Sequence, residues 1–218
     1  MLLENSHIYP YIKGCMEKVS VVKISSGNYI SRAENVDKQL YYILSGTVKV
    51  VCMAPFGKKV LVDVISENEF AGQISYVRNV NLYCDSVALT DVELLCLENE
   101  LIDELMANNE FSTFFYFKTS SRIYQMYKKM LVSNLFSQSE LVAYHIVDKA
   151  QNGKFIYKSI YDMCENLNIS RKNLYNILND FESKGVIEKE QNGVLLIKDN
   201  DYLKKESDKV KMFFENEY

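Results

Sequence analysis

Ser170-Arg171-Lys172-Asn173, followed by Asn176, sets a hydroxyl, two cations and two carboxamides within two helical turns. These groups suit nucleic acid. Arg and Lys donate to guanine O6 and N7, Asn pairs with two edge atoms of adenine, and Ser at a helix N-terminus holds a phosphate. Such chemistry needs a helix that presents these groups and buries another face. Leu174, Ile177, Leu178 and Phe181 provide that face at 3-and-4 spacing, with Arg171, Lys172, Asn173, Asn176 and Asn179 off it.

Ser170 is the predicted N-cap of this helix. Upstream, Ser159 caps a shorter one, with Asp162 three residues on and Ile160, Met163, Cys164 and Leu167 as its apolar face. Asn168-Ile169 forms the turn between them, which predicts a helix-turn-helix. Lys184-Gly185 stops the second helix, and Val186–Glu190 and Val194–Ile197 flank Gln191-Asn192-Gly193, a strong hairpin signal. The unit reads as a winged helix-turn-helix. Protein contact is the competing use, because residues 154–198 carry seven basic and six acidic groups. DNA is favoured because the basic groups open the second helix while Asp180 and Glu182 lie near its end.

Other chemistries find little support. The five cysteines, Cys15, Cys52, Cys84, Cys96 and Cys164, are odd in number and contain no C-x-x-C pair, so reduced thiols are expected. His7 and His145 are the only histidines, which gives poor support to a His-based triad or a multi-His metal site, and no metal is expected. With no paired carboxylates, Gly-rich phosphate loop or nucleophile–base pair, no catalytic residues are assigned and an enzyme is not expected. The chain carries 25 basic and 29 acidic residues, so DNA binding would need a local basic surface. No apolar run approaches the roughly 18 residues of a membrane span. Met1-Leu2-Leu3-Glu4-Asn5-Ser6 lacks the pattern of a secretory leader, so the expected compartment is the cytoplasm.

The elements that position the reading helix fall in two halves. Up to about Asn99 short alternating runs predict an all-β unit without crossover helices. Leu40–Leu44, Ser45-Gly46 and Thr47–Met53 read as strand, turn and strand. Ala54-Pro55-Phe56-Gly57 then makes a second turn before Lys59–Ile65, where Val60, Val62 and Val64 share one face and Lys59, Leu61 and Asp63 the other. Hairpin is expected to follow hairpin. A further β segment covers about Asp85–Leu97, with Val87, Leu89, Val92 and Leu94 as core candidates. Helices are predicted over Glu98–Asn108, Glu110–Asn134 and, after the capping box Ser137-Gln138-Ser139-Glu140, to about Lys149. Tyr116, Ser120, Ile123, Tyr127 and Met130 make a seam that could pair two chains or pack on the β unit.

This order of parts, and the stretches Tyr41–Val50, Phe70–Ser75, Ala88–Leu94 and Ile169–Tyr175, resemble the cyclic-AMP receptor protein and fumarate-nitrate-reduction regulator (CRP/FNR) family of bacterial transcription factors. The resemblance implies an α+β chain. A β-roll (jelly-roll, cyclic-nucleotide-binding-like) sensor domain would span 1–108, a dimerisation helix 109–136 and a winged helix-turn-helix 137–218. It further implies a homodimer pairing along the Tyr116–Met130 seam, bound to a palindromic operator in double-stranded DNA and, in an activator, in contact with RNA polymerase. Cyclic-nucleotide-binding relatives use a Gly-Glu pair and a later Arg turn; here the pair is Gly72-Gln73, and the turn falls at Leu82-Tyr83-Cys84 without its Arg. Arg78 is the nearest substitute. Cyclic AMP is therefore not the expected effector, and the lone N-terminal Cys15 and lone early His7 likewise speak against an iron–sulfur cluster and haem. Gly72, Gln73, Tyr83, Cys84, Tyr124 and Tyr127 are the candidates to line an effector pocket. A partner-binding module whose winged helix meets protein is the alternative.

Overall fold

The computed structural model describes residues 3–34, 39–53, 57, 59–78, 84–191 and 193–215, with the backbone alone at Arg78. The chain divides into two units, residues 1–126 and 127–218. In the first, α1 (Tyr9–Ile12) and a 3-10 turn (Met16–Lys18) precede β1 (Ser20–Ile24), β2 (Tyr29–Ser31), β3 (Leu40–Ser45), β4 (Val48–Met53), β5 (Lys59–Ile65) and β6 (Phe70–Ala71). Then come α2 (Gln73–Arg78), β7 (Cys84–Ala88), β8 (Val92–Leu97), α3 (Asn99–Met106) and α4 (Asn109–Leu135), which continues into the second unit.

The strands form two antiparallel sheets, ordered β1-β8-β3-β6 and β2-β7-β4-β5, stacked as a sandwich. Ile43 and Leu94 of the first sheet meet Val48, Ile65 and Ala88 of the second in the interior. Tyr42, Leu44, Leu95 and Leu97 face the opposite way, where Ile8, Ile12, Ile102, Leu105, Phe111 and Phe115 cover them. Burial on both faces explains why Leu40–Leu44 is apolar at every position instead of alternate ones.

Several expectations are corrected here. Although both strands form as predicted, β3 and β4 lie in opposite sheets, so Ser45-Gly46 is a crossing between layers and not a hairpin turn. Gly46 is required there: its φ is +87°, and a Cβ would stand 2.3 Å from the Asp91 carbonyl oxygen. The single segment expected over 85–97 is two strands in different sheets. Val92 and Leu94 are buried, Val87 is half-buried and Leu89 is exposed between the strands. β4 and β5 do pair as a hairpin; Ala54-Pro55-Phe56 lie outside the described residues. In β5 the fully buried positions are Asp63 and Ile65, whereas Val60, Val62 and Val64 are half-buried. Helix α2, between β6 and β7, is an element beyond the strands expected there.

The second unit follows its local signals closely. The capping box forms, with Glu140 N–H donating to Ser137 Oγ (3.2 Å) and Ser137 N–H to Glu140 Oε2 (2.8 Å), and α5 runs Gln138–Lys149. After β9 (Lys154–Ile156) come α6 (Ile160–Leu167), α7 (Arg171–Ser183), β10 (Ile187–Glu190), β11 (Val194–Ile197) and α8 (Asn200–Glu215). The strands form the antiparallel sheet β10-β11-β9. Neither β9 nor α8 was expected. Val142, Ile146, Phe155, Leu174, Phe181 and Leu195 are at the centre of this unit's core.

Candidate nucleic-acid interface and interior cavity

Short-range caps build the α6–α7 pair. Asp162 N–H donates to Ser159 Oγ (3.0 Å), and Asn173 N–H to Ser170 Oγ (3.2 Å). Asn168 closes α6 in the left-handed region at φ +52°, a conformation its short polar side chain tolerates. Leu174, Leu178 and Phe181 are at most 1% exposed, so α7 is anchored by its apolar stripe. Ser170, Arg171, Lys172, Asn173 and Asn176 are all exposed on its N-terminal half. Cations there meet the positive end of the helix, an arrangement that costs stability unless an anion offsets it.

The five residues are not equivalent. Asn173 donates its amide to Gln138 Oε1 of α5 at 3.0 Å, which ties the start of α7 to α5. The Arg171 guanidinium lies over the Tyr161 ring, 5.6 Å from its centroid. Tyr161 and Tyr175 are half-exposed beside it and escaped the sequence reading, because exposed tyrosines in a Tyr-rich chain carry no spacing signal. Lys189 of β10 pairs with Glu182 (2.8 Å) and holds the β10–β11 hairpin to α7. In that hairpin's turn Gly193 has φ +75°, and Asn192 lies outside the described residues.

On α4, Tyr116, Ser120, Ile123, Tyr127 and Met130 are exposed, and the four large side chains among them are at least half so. The helix instead meets the sandwich through Phe111 and Phe115. Within the first unit, the exposure of Tyr116, Ser120 and Ile123 leaves packing of the seam on the sandwich without support.

The sandwich contains a cavity of about 130 Å³. That is close to the roughly 150 Å³ that accepts a benzene ring. Gly72, Gln73 and Cys84 line it, together with Ser86 of β7, Asp63 of β5, and Arg122 and Met126 of α4. Gly72 belongs there because its φ is +95° and a Cβ would lie 2.7 Å from the Gln39 carbonyl oxygen. Tyr124 and Tyr127 are corrected: they are half-exposed and do not line the cavity. Arg122 and Met126 stand four residues apart on one helix face, and at 100° per residue Tyr124 points away from it. Tyr83 and the Arg78 side chain lie outside the described residues.

Arg122 is the group the sequence reading missed. Its guanidinium is 14% exposed, pairs with the Asp63 carboxylate (7% exposed), and donates to the Val64 carbonyl at 2.6 Å. The second cation at the cavity, Arg32, is exposed and lies over the Tyr29 ring at 4.4 Å. An Arg within a stretch that has no acidic residue was the available signal; its partner, 59 positions away in sequence (Asp63 to Arg122), was not visible. Among the described residues no group of three His, Cys, Asp or Glu side chains is placed to hold a metal, and no helix is long and apolar enough to cross a membrane.

Residues 21–109 match the cyclic nucleotide-binding domain family. No curated protein sequence matches the chain. Among solved structures, a protein of Eubacterium rectale described as a transcriptional regulator of the CRP/FNR family is similar with a TM-score of 0.72 at 14% identity, over 94% of this chain and 95% of that one. A CooA variant from Carboxydothermus hydrogenoformans gives 0.65 at 16% identity, over 95% and 94%. The c-di-GMP-responsive global regulator CLP of Xanthomonas campestris gives 0.70 at 14% identity, over 86% and 98%. Identities this low speak for the fold. Residues 21–109 thus match the cyclic nucleotide-binding domain family, in a chain that shares the fold of solved structures described as CRP/FNR-family regulators.

Proposed function

We propose that this protein is a cytoplasmic, homodimeric, sequence-specific DNA-binding regulator whose winged helix-turn-helix reads a palindromic operator. The observation that carries the reading is the N-terminal half of α7, where Arg171, Lys172 and Asn176 are exposed above an apolar stripe in which Leu174, Leu178 and Phe181 are buried and Ile177 is half-buried. Ser170 Oγ accepts the Asn173 N–H and keeps its own proton for a phosphate oxygen. Asn173, engaged with Gln138, acts first by setting the entry angle of α7, and reads a base only if that bond opens. The exposed α4 stripe through Tyr127 pairs two copies, so that two α7 helices address half-sites about one DNA turn apart.

Control by cyclic AMP is disfavoured. The cavity's inner cation, Arg122, already faces Asp63, and a ligand phosphate would have to displace that carboxylate; Gln73 stands where relatives use Glu. Another small effector, or a constitutively active sensor unit, fits better.

A gel-shift series in rising salt tests the reading. Groove binding that neutralises phosphates weakens steeply with salt. Arg171→Ala should reduce specific affinity by about 1–3 kcal/mol and relax preference at one base position. The alternative, a winged helix that meets protein, draws on Tyr161 and Tyr175 beside a near-neutral surface. It predicts no salt-dependent DNA shift and no effect of Arg171→Ala.

A further inference from the structure

Strands β4 and β7 are antiparallel neighbours, and their register sets Cys52 directly opposite Cys84. Directly opposed residues project from the same face of the sheet, with Cα atoms about 4.5–5.5 Å apart. A disulfide spans Cα separations of about 4.4–6.8 Å. The strand register therefore places the two Cα atoms within the range a disulfide can span.

The face is defined by their neighbours. Val50 and Ser86, the next pair on that side of the two strands, line the cavity, as does Cys84 itself. Both cysteines are half-buried, which leaves a route for a small oxidant, and both are reduced. Cys52 is among the groups that raise the Cys84 pKa, as neighbouring thiols do. No other cysteine shares this arrangement: Cys15 donates to the Ile12 carbonyl at 3.3 Å, Cys96 lies on β8 of the other sheet, and Cys164 is on α6 of the second unit.

We propose that Cys52 and Cys84 form a reversible dithiol–disulfide site in the cavity wall, oxidised by hydroperoxides. Burial, then the charge and hydrogen bond of Cys52, push the Cys84 thiol up to about 11, which suits Cys84 to the resolving role. The Cys52 thiolate, its proton released to solvent, attacks one oxygen of hydrogen peroxide. The O–O bond breaks, Cys52 becomes a sulfenic acid, and the leaving hydroxide takes up the released proton as water. Cys84 sulfur then attacks Cys52 sulfur; the S–S bond forms as S–O breaks, and the hydroxyl leaves with the Cys84 proton as a second water. Two electrons pass from the sulfurs to the peroxide, and two molecules of a small thiol reverse the bond by successive exchange, leaving joined as their own disulfide. The bond would fasten β4 to β7 beside the cavity whether or not the chain binds DNA.

The test uses the full, reduced chain, treated with hydrogen peroxide, then blocked with iodoacetamide. The expected result is a fall from five titratable thiols to three. Non-reducing digestion should then yield a linked peptide whose fragmentation assigns the bond to Cys52 and Cys84, lost after dithiothreitol. Cys52→Ser and Cys84→Ser should each abolish that peptide, and Cys96→Ala should retain it, a needed control because Cys96 follows Cys84 without an intervening Lys or Arg. Full alkylation of Cys52 and Cys84 after peroxide has oxidised other cysteines would overturn the proposal. So would a bond from either residue to Cys96. The wild-type mapping stands even if a variant fails to fold.

Discussion

Arg122→Met removes the guanidinium that faces Asp63 inside the sandwich. Both side chains are largely buried, at 14% and 7% exposure, and loss of one partner from a buried ion pair costs about 3–5 kcal/mol. Asp63 still accepts the Val64 N–H at 2.9 Å, and the partial exposure admits some water, so the low end, about 3 kcal/mol, is expected. Replacing both partners by apolar groups of similar size is often neutral, so Arg122→Met with Asp63→Leu should recover most of the loss, a coupling of about 2 kcal/mol. The chain has no Trp, so urea unfolding would be followed by circular dichroism and tyrosine fluorescence. With a slope of about 1–3 kcal/mol per molar urea, the single variant should lower the midpoint of the β-rich unit by at least about 1 M. A loss below about 1 kcal/mol, or strictly additive effects in the double variant, would refute the assignment of Arg122 as the clamp between α4 and β5.

Gly46→Ala forces a left-handed φ of +87° on alanine and drives its Cβ against the Asp91 carbonyl, so thermal unfolding should reveal a loss of at least about 2 kcal/mol. His145 sits edge-on to Phe155, and burial, then the charge of Lys149, depress its pKa from 6.5 to about 4. The unfolded chain therefore binds more protons between those values, and stability present above about pH 6.5 is lost as pH falls toward 4. Allowing for the ring's partial exposure, about 1–2 kcal/mol should disappear over that window, and His145→Gln should flatten the dependence in denaturant titrations at pH 7 and pH 5. Tyr127→Glu puts a charge on the exposed α4 stripe; sedimentation should report a dimer for the wild type and a monomer for the variant, with each chain's helical signal unchanged.

Local signals were legible in the sequence. The Ser137, Ser159 and Ser170 caps each act within three residues, and α5, α6 and α7 begin where those caps place them. The existence of β3, β4 and β5 was equally readable from their apolar runs, whereas β1, β2, β6 and β9 went unread. Strand partnership was not readable: alternation tells which face a residue occupies and nothing about which strand lies beside it. For that reason the Ser45-Gly46 crossing looked like a hairpin turn, and the Cys52–Cys84 juxtaposition was invisible. The cavity was half legible. Gly72, Gln73 and Cys84 came from family resemblance, whereas Arg122 entered through a contact with Asp63 that no sequence spacing encodes. Helix α8 had a usable signal in Leu203, Ser207 and Val210, but its buried face is narrow amid charged residues.

The most direct test of the regulator reading is selection of bound sequences from a random double-stranded DNA pool by the purified chain at near-physiological salt, with and without small molecules from cell extract. A groove-reading dimer predicts an enriched inverted repeat whose half-sites lie about one helical turn apart, with Arg171→Ala losing preference at one position of each half. Absence of any enriched motif in both arms would contradict it.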